Sequence, residues 1–188
     1  DKISFIKDIS GLNYRLAGEV IGAADEAVPM ILKGGGIKNT LIISPPGAGK
    51  TTMLRDIVRQ LSYKSYRVSV VDERSEIAAL CEGRSAFDLG FSTDILEGVD
   101  KAEGMLMVLR SMSPDVIVTD EIGKQSDIDA IERITNSGAA VIATIHGRNI
   151  DMIKRRDDLK RMLKFFDLII TLSKRKGIGT VEEALTEW

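Results

Sequence analysis

The stretch TLIISPPGAGKTT, residues 40–52, constrains the fold more than any other part of the chain. Its first five residues are mostly β-branched or aliphatic and predict a buried strand, whereas the residues from Thr51 onward have helical spacing. The pattern GxxxxGK[ST] matches residues 44–51, except that Ser44 stands at the place of the first glycine. A strand, a glycine-rich loop and a helix N-terminus in this order direct N–H groups and a helix dipole at one point, which suits phosphate. The stretch therefore predicts a P-loop, in which a residue as small as Ser44 is tolerated.

The residue types of this loop suit a nucleoside triphosphate. Gly47 and Gly49 allow the backbone to take positive φ angles and to approach the phosphates closely. Lys50 would reach the β- and γ-phosphate oxygens, and the Thr51 hydroxyl would bind Mg²⁺. Thr52 would neighbour the α-phosphate. We therefore predict that ATP contacts Pro46, Gly47, Ala48, Gly49, Lys50, Thr51 and Thr52.

Apolar runs recur along the chain and predict the fold class. After TLIIS, the runs are VSVVD (68–72), VIVTD (116–120), AVIAT (140–144) and LIITL (168–172). Such nearly continuous apolar runs are typical of strands buried on both faces of a parallel sheet. Helical spacing occurs between them, over 51–63, 101–112, 127–136 and 154–165. The alternation predicts an α/β fold of the P-loop NTPase class, RecA-like with an additional strand, in which helices flank a parallel sheet.

The size and composition bound the other possibilities. The 188 residues with 44% hydrophobic content predict one domain over 1–188, with 1–38 as a lead-in segment. The chain has 26 Lys and Arg against 28 Asp and Glu, and this balance argues against nucleic acid as a partner. The single cysteine, Cys81, favours a reducing compartment such as the cytoplasm. Direct membrane insertion is not expected, since no apolar run approaches the roughly 20 residues that span a bilayer.

Two adjacent acids, the last residue of the run VIVTD and the residue after it, decide what the nucleotide is used for. Asp120 and Glu121 would lie at the carboxyl edge of the sheet, where ligands bind in open α/β folds. Asp120 suits the Mg²⁺ shell, directly or through water, and Glu121 suits the activation of an attacking water. The alternative is a pair of solvated acids at a strand end. The pair favours hydrolysis.

Further polar residues are expected at the same edge. A second cluster lies at the end of the run VSVVD and just after it: Asp72, Glu73, Arg74 and Glu76. It could position water or metal, or could form a salt-bridge network in a loop. From this cluster we take Glu73 as a catalytic candidate.

One histidine and two arginines complete the candidates. His146 follows the strand AVIAT, which in ATPases with an additional strand lies between the P-loop strand and the acidic strand, so His146 could sense the γ-phosphate. Arg84 and Arg110 could stabilise transition-state charge across a subunit boundary. The alternatives are that His146 is a structural histidine and that the two arginines only solvate the surface or pair with an acid.

Three segments carry a resemblance to the stage III sporulation protein AA family. They are VVDERSEIA (70–78), KAEGMLMVLRSMSPDVIVTDEIG (101–123) and IATIHG (142–147). The same segments more faintly resemble the aspartate box, LRxxPDxxxxGEIRD motif and histidine box of hexameric type II and type IV secretion ATPases. Gly123 and Lys124 stand where those ATPases place arginine and aspartate, so their arginine roles do not transfer directly.

The resemblance implies a cytoplasmic ATPase of the channel complex between mother cell and forespore. It would be a homohexamer on the mother-cell side, peripheral to the membrane and held there by membrane proteins of the complex. The family also implies an amino-terminal region that we expect to be absent from this chain.

A Mg²⁺-dependent ATPase motor is thus the leading hypothesis. A nucleic-acid-dependent ATPase would need a basic groove, and the composition disfavours it. A nucleotide-gated scaffold with little turnover is disfavoured by Glu121. A small-molecule kinase comes last because no lid or acceptor-binding signature follows the P-loop.

Overall fold

The computed structural model describes residues 7–8, 10–11 and 18–188. In this part of the chain the strands are β1 (Thr40–Ser44), β2 (Val68–Asp72), β3 (Leu80–Cys81), β4 (Arg84–Ser85), β5 (Thr93–Glu97), β6 (Val116–Glu121), β7 (Ala140–His146), β8 (Leu168–Ser173) and β9 (Thr180–Leu185). The α-helices are α1 (Ala27–Ile31), α2 (Lys50–Tyr63), α3 (Lys101–Ser111), α4 (Gln125–Ser137), α5 (Ile150–Lys154) and α6 (Asp157–Lys160), and a 3₁₀ helix follows at Arg161–Phe165. No helix of these residues is long and apolar enough to cross a membrane.

The central sheet has seven strands in the order β5-β2-β6-β7-β1-β8-β9. Its strand pairs are parallel except that β9 runs antiparallel to β8. The strand β7 lies between β1, which leads into the glycine-rich loop, and β6, which ends in the acidic pair. The predicted α/β fold and the position of the additional strand are confirmed.

The core consists of two layers, one on each face of the sheet. Along β1, Ile42 packs with α1 and α2 on one face, whereas Leu41 and Ile43 pack with α3, α4 and α5 on the other. This alternation is what the strand pleat requires. Because these three side chains are completely buried, β1 holds the start of the glycine-rich loop in a fixed position.

The five apolar runs are all strands, and the first two have the predicted bounds. The prediction of one helix over 154–165 is wrong: that region contains the end of α5, then α6 and the 3₁₀ helix. Arg156 interrupts it, because its backbone is extended with φ −102° and ψ 110°. The strands β5 and β9 were missed because they are edge strands with exposed polar residues, so the apolar signal of a doubly buried strand is absent.

Candidate nucleotide site

A cleft of about 390 Å³ lies at the carboxyl edge of the sheet, between the glycine-rich loop and the ends of β6 and β7. It is lined by Pro45, Pro46, Gly47, Gly49, Lys50, Thr51, Thr52, Arg74, Glu76, Glu121, His146 and Ile178. A larger cavity, of about 880 Å³, lies near the start of β2, β6 and β7 and contains none of the predicted site residues. The smaller cleft is therefore the candidate nucleotide site, because six of the seven residues predicted to contact ATP line it.

The glycines of the loop have the backbone that the sequence predicts. Gly47 has φ 67°, and Gly49, which caps α2, has φ 89°. A Cβ atom on Gly49 would lie 2.8 Å from Ile178 Cγ2 and 3.2 Å from the Gly179 nitrogen, which is too close. Both the positive φ angle and this contact require glycine at position 49. Helix α2 then begins at Lys50, so its N-terminus faces the cleft.

Lys50 and Glu121 form an ion pair across the cleft. The Lys50 Nζ lies 2.7 Å from Glu121 Oε2, and both side chains are partly exposed. The hydrogen bond from Lys50 lowers the pKa of Glu121 below its usual value, although partial burial opposes this. Lys50, predicted to bind phosphate, and Glu121, predicted to activate water, thus lie together in the cleft, and their roles stay predictions.

Asp120 is paired with a lysine that the sequence reasoning missed. The Lys101 Nζ lies 2.5 Å from Asp120 Oδ1 and donates a hydrogen bond of 2.5 Å to the Glu121 carbonyl oxygen. Both side chains are buried. Burial raises the pKa of Asp120 above its usual value, and the Lys101 ammonium opposes this rise. Lys101 therefore neutralises Asp120 and fixes the end of β6 to the start of α3.

The second acidic cluster separates into different roles. Asp72 is completely buried and accepts hydrogen bonds from the backbone nitrogens of Glu76, Ile77 and Ala78, at 2.9, 2.8 and 2.9 Å. It thereby shapes the loop that follows β2 and places Arg74 and Glu76 on the cleft wall. Asp72 is thus a structural acid in this loop.

Glu73 lies beside the cleft and does not line it. Its carboxylate is 3.8 Å from Lys101 Nζ and 3.7 Å from Lys124 Nζ. These three residues and Glu121 line a small adjoining cavity of about 160 Å³. The structure therefore brings Glu73 close to the acidic pair, and its catalytic role stays a prediction.

His146 lines the cleft at the end of β7, whereas Arg84 and Arg110 do not. Arg84 is exposed in β4. Arg110 is exposed in the last turn of α3, whose first residue, Lys101, contacts Asp120. Nine residues of helix separate Arg110 from that contact by about 14 Å. Neither Arg84 nor Arg110 lines the cleft of its own chain. Their role across a subunit boundary stays a prediction.

The described residues fit a nucleotide better than a metal held by protein alone. They contain no group of three or more His, Cys, Asp or Glu that could hold a metal ion. Thr51 lines the cleft, and Asp120 is the residue of β6 before its last residue, Glu121. Such a sparse oxygen set suits Mg²⁺, which retains waters and takes further ligands from nucleotide phosphates.

Sequence reasoning missed Lys101, Ile178 and the contact of the turn 174–179 with the loop. Lys101 carried no signal because a lysine at the start of a helix resembles any surface cation. Ile178 belongs to a short turn after the last predicted strand, where no periodicity exists to indicate a contact. Arg74 was recognised at this edge, without a role of its own.

The sheet order, the glycine-rich loop and the acidic end of β6 define a P-loop ATPase fold. Solved structures agree: the pilus retraction motor PilT with bound ADP has a TM-score of 0.57 at 19% identity, over 80% of this chain and 46% of that one. The VirB11 ATPase of the Brucella suis type IV secretion system, in complex with sulphate, has a TM-score of 0.56 at 14% identity, over 86% and 50%. The ATPase DotB of Legionella pneumophila has 0.55 at 20% identity, over 71% and 40%.

The chain belongs to the family described as sporulation stage III, protein AA, which matches residues 1–187. It is 40% identical over 185 residues to the stage III sporulation protein AA of Bacillus subtilis strain 168, covering 95% of this chain and 60% of that protein. It is also 30% identical over 159 residues to protein SEEDLING PLASTID DEVELOPMENT 1 of Arabidopsis thaliana, covering 82% and 22%. The chain thus spans less than two thirds of the length of these relatives. The resemblance noted from the sequence is confirmed.

Proposed function

We propose that this chain is a Mg²⁺-dependent ATPase that hydrolyses ATP to ADP and phosphate. The observation that carries the proposal is the meeting of Lys50 and Glu121, 2.7 Å apart, in the cleft of a P-loop. The fold supports it, because the structural neighbours are named as ATPases or motors, and one of them, PilT, holds ADP.

The ion pair suggests how nucleotide binding prepares the site. The triphosphate offers Lys50 a more highly charged partner than Glu121, so Lys50 transfers its hydrogen bonds to the β- and γ-phosphate oxygens. Glu121 then loses the contact that lowers its pKa, and its carboxylate becomes a stronger base. It can now orient a water and accept the proton as that water attacks the γ-phosphorus.

Other cleft residues assist this step. Loop N–H groups and the N-terminus of α2 would bind the phosphates. His146, which lines the cleft at the end of β7, would contact the γ-phosphate. Mg²⁺, held by Thr51, by nucleotide oxygens and by Asp120 through water, would neutralise developing phosphate charge. A water-mediated contact suits Asp120 because Lys101 already neutralises it.

The cellular role rests on family membership. The family and the Bacillus subtilis relative are named for stage III of sporulation. We infer that hydrolysis energises the channel between mother cell and forespore, with the chain as a homohexamer on the cytoplasmic side of the mother-cell membrane. Membrane proteins of the channel complex would be its partners.

Glu121→Gln tests the activity, since the amide keeps the shape of the side chain and cannot accept the proton. We expect ATP turnover to fall by at least about 100-fold while ATP binding, measured by calorimetry, is retained. Glu183→Gln is the matched control, because Glu183 is exposed in β9.

Equal turnover in the two variants would refute the assignment of Glu121. Tight ATP binding by the wild-type chain without turnover at any protein concentration would favour the nucleotide-gated scaffold instead.

A further inference from the structure

The turn between β8 and β9, residues 174–179, lies against the glycine-rich loop. The Gly179 nitrogen donates a hydrogen bond of 3.0 Å to the Ala48 carbonyl oxygen. Ile178 Cγ2 lies only 2.8 Å from the point that a Cβ atom on Gly49 would occupy. The turn is therefore packed onto the loop that binds phosphate.

Lys174 occupies the other end of this contact. Its Nζ lies 3.1 Å from the point that a Cβ atom on Gly47 would occupy. The ammonium of Lys50 is neutralised by Glu121. The ammonium of Lys174 has no carboxylate within 4.0 Å among the side chains that the structure describes. Lys174 thus places a further positive charge beside the phosphate loop, without an ion-pair partner among the described side chains, and a polyphosphate is an anion that suits such a place.

Ile178 contributes a different kind of surface. Ile178 lines the cleft, and its side chain is 75% exposed. Apart from prolines, it is the only large apolar residue among the described residues that line the cleft. An aliphatic side chain at the mouth of a phosphate site can cover the face of a base, which removes apolar area of both groups from water. It makes no hydrogen bond to the edge of the base and therefore does not distinguish purines.

We propose that the turn 174–179 is a wall of the nucleotide site, in which Lys174 contacts the polyphosphate and Ile178 covers the purine base. This inference rests on the proposed function, since it assigns parts of the same ligand to residues outside the P-loop. It makes Ile178 a determinant of nucleoside affinity and Lys174 a determinant of phosphate affinity.

Calorimetric titrations with ATP, GTP and inorganic tripolyphosphate test the two assignments separately. Ile178→Ser should weaken ATP and GTP binding equally, by about tenfold, and should leave tripolyphosphate binding unchanged. Lys174→Gln should weaken all three ligands by about tenfold, the loss expected for one charge-assisted hydrogen bond. Lys176→Gln is the control, because it removes the same charge from the same turn, also at an exposed position.

The inference is overturned if Ile178→Ser binds ATP like the wild type, or weakens tripolyphosphate as much as ATP. It is equally overturned if Lys174→Gln loses no more affinity than Lys176→Gln. Thermal unfolding of each variant checks that the fold is intact. Wild-type ATP binding without hydrolysis would refute the proposed activity and leave this inference standing, whereas a wild-type chain that binds no ATP would refute both.

Discussion

At the scale of single residues, the buried pair of Lys101 and Asp120 carries an energetic consequence. The side chains are 5% and 9% exposed and lie 2.5 Å apart. Lys101→Met keeps the side-chain volume and leaves the Asp120 carboxylate without its cation. We expect the free energy of unfolding at neutral pH to fall by about 3 kcal/mol, because an uncompensated buried charge is costly. Denaturant titration measures this loss.

A double variant separates charge from packing at this pair. Adding Asp120→Asn to Lys101→Met should recover most of the lost stability, because no unpaired charge then remains. Lys124→Met is the control, since Lys124 contacts the same Glu73 at a similar distance and its side chain is exposed, whereas that of Lys101 is buried. If the double variant is as unstable as Lys101→Met, lost packing rather than lost charge determines the effect.

At the scale of elements, Asp56 fastens α2 to the segment before α1. Its buried carboxylate accepts hydrogen bonds from the Ala24 nitrogen, from Arg59 and from Gln60. Burial by itself raises the pKa of Asp56, and the hydrogen bonds from Ala24, Gln60 and Arg59 outweigh it, so the pKa is lowered below 3.8. The stabilisation is thus present above pH 3.8 and is lost as the pH falls through the folded-state pKa.

Asp56→Asn tests this link between elements. The free energy of unfolding at pH 7 should fall by about 2 kcal/mol, the value of hydrogen bonds to a charged group, and the difference from wild type should shrink in strong acid. Unfolding curves across the pH range measure it, with the exposed Asp94→Asn as control. A difference that is the same at low and neutral pH would show that the carboxylate charge is not responsible.

The elements also differ in how well the sequence predicts them. The strands of the buried sheet and the P-loop could be predicted, because continuous apolar runs and the glycine pattern are local signals. The cluster of Glu121, Lys50 and His146 followed from the rule that parallel strands end at one edge. The partners Lys101 and Ile178 could not be predicted, because they reach the site from turns and helix ends whose positions depend on the packed structure.

At the scale of the whole molecule, the proposed ring can be tested by mixing two inactive variants. A heterologous ring interface joins the site of one subunit to a different surface of its neighbour. If Arg84 or Arg110 acts across that interface, its change to alanine should lower turnover by about 1000-fold. Turnover should rise steeply with protein concentration in the wild type as rings assemble.

Glu121→Gln has a defective site and retains both arginines, whereas each arginine variant has an intact site and lacks one of the two arginines. In a mixture, about a quarter of the interfaces join an intact site to an intact arginine, because a ring draws its neighbours independently. We therefore expect an equal mixture of Glu121→Gln with the correct arginine variant to regain activity that neither has alone. Mixing with the other arginine variant supplies the control. If an arginine variant is inactive and stays inactive in the mixture, that arginine acts within its own chain or stabilises the fold. If an arginine variant is fully active by itself, that arginine has no part in catalysis.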